Sequence, residues 1–102
     1  MDIVTSNVPN IIAGGIVNDK ATNLVEPELS PEIRKSGFSG KVNVEVLIDE
    51  NGDVVSASYV SGNPALKFES EEAARQSKFA PTSLLGKSVK VRGVIVYNVI
   101  TQ

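Results

Sequence analysis

Few residues in this chain could do chemistry, and the missing types are as informative as those present. Its 102 residues include no His and no Cys. That excludes an imidazole base, an imidazole metal ligand, a thiol nucleophile, a zinc knuckle and a disulfide. Three local patterns remain. Glu69, Glu71 and Glu72 offer carboxylates, but they fall mid-helix beside Lys67 and Arg75 with no cleft to desolvate them, so a solvated helix face is the better reading. Asp49, Asn51 and Asp53 have the spacing of the first ligands of a calcium loop. Val54 stands where that loop needs Gly and Val60 where it needs Glu, which leaves a polar hairpin tip. Gly86-Lys87-Ser88 ends like a phosphate loop, yet Pro81 replaces its first Gly and a strand follows instead of a helix. No enzymatic activity, metal or cofactor is expected.

With reactive side chains set aside, charge, apolar runs and the chain's elements are what remain to be read. The balance of 10 Lys+Arg against 12 Asp+Glu, net −2, supplies no field for nucleic acid or an anionic membrane. The longest apolar runs, Val94 to Tyr97 and Val46 to Ile48, are far short of the ~20 residues of a membrane span. Met1 to Asn10 has no basic start and no apolar signal core. The length suits one domain with a modest core.

Residues 1–13 are too irregular for core and read as an N-terminal arm or linker remnant; the domain is expected over 14–102. Gly14 to Val25 suggests a small hairpin turning at Asn18-Asp19-Lys20. Ser30-Pro31-Glu32 starts a short helix, with Ser30 as N-cap, and Gly37 ends it after Arg34 and Lys35. Val42, Val44, Val46 and Ile48 alternate with polar residues, the pattern of a half-buried strand. If Asn51-Gly52 is a two-residue turn, Ile48 lies opposite Val55, Val46 opposite Ala57, Val44 opposite Tyr59 and Val42 opposite Ser61. Asn63-Pro64 opens a helix running to about Lys78, with Leu66, Ser70, Ala73, Ala74 and Ser77 on its packed face and Glu71 and Arg75 paired on the wet one. Phe79 should plug the core edge. Tyr59 reads as a core or cross-strand residue, while Tyr97 is open between core and partner. The last strand, Ser88 to Thr101, would reach about 43 Å against about 30 Å for Lys41 to Asp49. It must overhang, bend at Gly93, or pair with something beyond its neighbours.

Ser30-Pro31, Gly40-x-Val42, Ile48-Asp49 with Asn51-Gly52, Ser61-Gly62 with Leu66, and Arg75 leading to Phe79 and Pro81 before a long terminal strand form one series. In order and spacing it resembles the C-terminal domain of the TonB family of energy transducers, over roughly Gly14 to Gln102. Ser30 stands where the family usually has Tyr, and Ser77 where it often has an aromatic, which thins the aromatic packing between helices and sheet. The resemblance implies an α+β two-layer sandwich: a three-stranded antiparallel sheet, two helices on one face, and a long C-terminal edge strand.

It further implies a non-enzymatic periplasmic domain that captures the N-terminal peptide of an outer-membrane transporter by β-strand addition. The parent protein would be anchored in the inner membrane and coupled to proton-channel proteins there through regions N-terminal to this chain. The strand expected to bind is Val91, Arg92, Gly93, Val94, Ile95, Val96, Tyr97, Asn98 and Val99, with Lys90 and Arg92 guarding the edge. An edge strand offers unpaired N–H and C=O groups, so the same edge could also pair with a second copy in a homodimer. The alternative function is an interaction or dimerisation module in a sensory or structural envelope protein.

Overall fold

Val42, Val44, Val46 and Ile48 are all buried, and the strand they mark, β3 (Ser39–Ile48), is the spine of the sheet. The computed structural model describes residues 11–37 and 39–100. β3 pairs antiparallel with β4 (Val54–Ser61) on one side and with β7 (Lys87–Ile100) on the other. A further strand, β1 (Ile11–Ile16), lies parallel to β7, so the order is β1-β7-β3-β4. The short β6 (Thr82–Leu84) folds back on the start of β7 through a turn at Leu85 and Gly86. Both turn residues have positive φ, as a two-residue I′ hairpin requires. The would-be phosphate loop is this hairpin.

The helices are where their caps put them. In α1 (Pro31–Ser36) the Ile33 N–H donates to Ser30 Oγ, and Gly37 ends the helix at φ 71°. Asn63 Oδ1 accepts from Ala65 N–H and starts a 3-10 turn at Pro64, which leads into α2 (Lys67–Gln76). Leu66, Ser70, Ala73, Ala74 and Ser77 are all buried, as their helical spacing predicts. The two small hydroxyls close on the helix itself: Ser70 Oγ donates to Leu66 O and Ser77 Oγ to Ala73 O. Phe79 is buried in β5 (Lys78–Phe79), which pairs with β2 (Ala21–Asn23).

Several expectations need correction. The expected small hairpin is absent: β1 goes to β7 and β2 to β5, with a 3-10 turn at Asn18–Lys20 between them. Residues 11–13 of the supposed arm are strand; residues 1–10, like Thr101, lie outside the described residues. The β3–β4 turn is longer than two residues. Asn51 N–H and Asp53 N–H both donate to Asp49 Oδ1, and Asp49 N–H donates to Asp53 O, which stitches five residues into the loop. Val46 still faces Ala57 and Val44 faces Tyr59, but Ile48 faces Val54, and Asn43, not Val42, faces Ser61. The one-residue slips at each end leave Val55 and Val60 as exposed bulges. The sheet also has more strands than three, and the C-terminal strand is not at its edge from Lys90 to Val94, where β1 covers it.

Candidate partner-binding edge

Strand addition needs a row of unpaired backbone groups, so the two outer sides of the sheet decide what can bind. The β4 side is closed. Tyr59 N–H points outward and donates to the Glu71 carboxylate of α2 at 2.8 Å, and the bulged Val55 and Val60 break the row on either side. Tyr59 Oη also donates to Gly62 O. Glu71 is therefore a cap on a strand edge rather than Arg75's partner; Arg75 instead sits 3.6 Å from Glu72.

On the opposite side, β7 alternates. Val91, Ile95, Tyr97 and Val99 are buried, and their side chains form the core above the sheet. Arg92, Val94, Val96 and Asn98 face the other side of the sheet and, by the two-residue period of a strand, turn their backbone groups away from β3. Val17 N–H donates to Val94 O, and Asn18 makes a matched pair with Val96, its Nδ2 donating to Val96 O at 2.8 Å and its Oδ1 accepting from Val96 N–H at 2.9 Å. Past Asn18 the backbone groups of Asn98 and Ile100 continue the row. They border a groove of about 190 Å³ lined by Glu26, Pro27, Leu29, Asn98, Val99 and Ile100. Of the nine expected binding residues, then, the odd-numbered ones belong to the core and the β3 ladder, while the even-numbered ones supply the edge.

Gly93 is the exception in the middle of the row. A Cβ there would lie 2.3 Å from Val17 Cγ1, so the missing side chain is the niche that Val17 fills. Lys90, expected as an edge guard, is bound to Glu50 at 2.8 Å, and this bond is the main reason the Glu50 carboxyl lies below its ordinary pKa. Arg92 is exposed and has no acidic partner among the described residues. Tyr97 resolves as core. Burial pushes its pKa up to about 12, with a nearby Ser77 hydroxyl pulling the other way. Its hydroxyl has no hydrogen-bond partner among the described residues, because Ser77 gives its proton to Ala73 O and accepts from Val25 N–H.

A family profile described as the C-terminal domain of Gram-negative bacterial TonB protein matches residues 25–99. The chain belongs to the TonB C-terminal family. The solution structure of the Pseudomonas aeruginosa TonB C-terminal domain has the same fold, with a TM-score of 0.57 at 20% identity over 83% of this chain and 90% of that one. No match is found among curated proteins. TonB C-terminal domains are periplasmic interaction domains rather than enzymes. In this TonB-family chain, β1, Val17 and Asn18 all precede the matched segment. Their role was invisible in the sequence because nothing local marks a parallel pairing between residues some 78 positions apart. No helix among the described residues is long and apolar enough to cross a membrane.

Proposed function

We propose that this domain is the periplasmic end of a TonB-type energy transducer and binds the extended N-terminal peptide of an outer-membrane transporter by strand addition to β7. The parent protein, anchored in the inner membrane and driven there by proton-motive force, would pull on the transporter through that added strand. The observation that carries the reading is the backbone row of β7 that faces away from β3: β1, Val17 and Asn18 hold it at Arg92, Val94 and Val96, and at Asn98 and Ile100 it runs on beyond Asn18 beside the Glu26–Leu29 groove. Main-chain pairing along such a row gives affinity and the alternate side chains give selectivity. The opposite edge is unsuited to this role, since Glu71 and two bulges occupy it.

The test is to titrate the domain with peptides copied from transporter N-termini and follow backbone amide shifts. Shifts concentrated on Arg92 through Ile100 support the reading; shifts confined to β4 or to none of these residues sink it. Asn98→Pro removes an N–H on the partner side and should weaken binding, whereas Asn98→Ala should not. Proline at Ile95, by contrast, would break the β3 ladder and the fold with it.

A further inference from the structure

Part of the edge that the proposed partner needs is already occupied by the chain itself. From Lys90 to Val96 the side of β7 facing away from β3 is completed without a gap: β1 covers it as far as Val94, Val17 N–H takes Val94 O, and the Asn18 amide takes both groups of Val96. In an antiparallel ladder two opposed residues exchange both of their backbone bonds. Asn18 performs that exchange with a side chain. We infer that Ile11–Asn18 is a placeholder, an internal strand that holds the partner edge of β7 and leaves it when an extended peptide binds. This rests on the strand-addition reading above.

Several features distinguish a placeholder from a permanent strand. Its side chains are less buried than those on the other flank of β7: Ile11 and Ile16 are 42% and 66% exposed and Ile12 packs on the core only in part, while Val42, Val44 and Val46 are at most 1% exposed. Its register breaks between Ala13 and Gly15, at two adjacent glycines that weaken a strand. It also precedes residues 25–99, the part of the chain that matches the TonB family. Its firmest anchor is Val17, fully buried against Gly93 and Gly14, with Ile12 packed in part against the core. That niche specifies the replacement as well: a strand that displaces Ile11–Asn18 has to set an aliphatic side chain of about valine size over Gly93.

A disulfide lock tests this. Ala13 and Arg92 are register partners across β1 and β7, and the chain has no Cys, so A13C with R92C in the full chain would form a single defined bond. The probes are extended peptides from the N-termini of outer-membrane transporters, titrated by calorimetry, together with amide hydrogen exchange. Oxidation is expected to slow exchange at Arg92 and Val94 and to weaken peptide binding about ten-fold or more, with reductant restoring both, because locking depletes the competent state. Unimpaired binding to the oxidised protein would overturn the placeholder and leave strand addition standing elsewhere on the molecule. Failure of the pair to oxidise would overturn it too, as would wild-type exchange at Arg92 and Val94 as slow as at Val91 and Ile95. If no peptide binds even the reduced protein, the strand-addition reading itself has failed and the placeholder falls with it.

Discussion

Gly93→Ala should detach the first strand while leaving the rest of the fold in place. The added methyl would lie 2.3 Å from Val17 Cγ1 and 2.9 Å from Gly15 O, and the Val17 contact is with a fully buried side chain. An added methyl in a packed core typically costs about 1–3 kcal/mol where the neighbours can shift slightly, and more where they cannot, as at these separations. Releasing Val17 instead gives up about 1.5–3 kcal/mol of burial. It also loses the bonds of Val17 N–H and Asn18 to Val94 and Val96, each with a net value of about 1 kcal/mol. Release costs about 4–6 kcal/mol in all. With a carbon 2.3 Å from Val17 Cγ1 and 2.9 Å from a backbone oxygen, the segment cannot stay in place. The clash is therefore relieved by letting Ile11–Asn18 go rather than by disturbing β3, whose register with β7 is unbroken from Ser39 to Ile48. The expected result is a stability loss of about 4–6 kcal/mol in urea denaturation. Amide exchange should rise at Arg92, Val94 and Val96 while Val91, Ile95 and Tyr97 keep their protection. A uniform loss of protection across β3 and β7, or no change at all, would refute the reasoning.

Gly52→Ala should also be damaging, by at least about 3 kcal/mol, because an Ala there would hold φ +89° and its Cβ would meet Phe79 O at 1.9 Å, a backbone atom that cannot move aside; thermal melting measures it. Glu71→Ala should cost about 1–2 kcal/mol by orphaning Tyr59 N–H, and should add concentration-dependent self-association through β4, with Glu71→Gln retaining most of the wild-type behaviour in sedimentation and denaturation. Tyr97→Phe should be neutral or stabilising by up to about 1 kcal/mol near pH 7, since the hydroxyl it removes is buried without a partner. Tyr97 itself makes stability fall at high pH. Its folded pKa of about 12 lies above the ordinary value of about 10, so the neutral form's contribution is whole below pH ~10 and is lost as pH rises toward 12. The loss is about 2 kcal/mol by pH 11.5, and it should be absent from Tyr97→Phe in denaturation series at pH 9 and 11.5.

Where one element's own side chains decide its structure, the sequence was readable. Alternation placed Val42, Val44, Val46 and Ile48 in the core, a 3.6-residue period placed Leu66, Ser70, Ala73, Ala74 and Ser77, and Ser30, Gly37 and Asn63 marked the helix ends. What could not be read depends on partners distant in the chain or on a side chain standing in for backbone. Asp49 looked like a strand end, yet its carboxylate organises the turn and shifts the register at Ile48 by one residue. Asn18 looked like a turn residue, yet its amide completes an edge 78 positions away. Glu71 had an obvious partner four residues on in Arg75 and bonds a strand instead. Likewise the length of β7 correctly signalled extra pairing, but nothing in Ile11–Ile16, with glycine at 14 and 15, named the strand that supplies it.

The two sides of the sheet differ in what it takes to open them, and that difference bears on which can exchange partners. Freeing the β4 edge means turning the Glu71 carboxylate off Tyr59 N–H and straightening the bulges at Val55 and Val60. Freeing the β7 edge asks for one buried valine and a few edge hydrogen bonds, a cost that an incoming strand offsets by making the same bonds and filling the same niche over Gly93. Exchange on that side is therefore close to balanced, so the outcome turns on the side-chain sequence of the competing peptide. In the proposed exchange the selecting elements would be a glycine, a valine and the amide of Asn18, a choice for which a chain without His or Cys needs no reactive group.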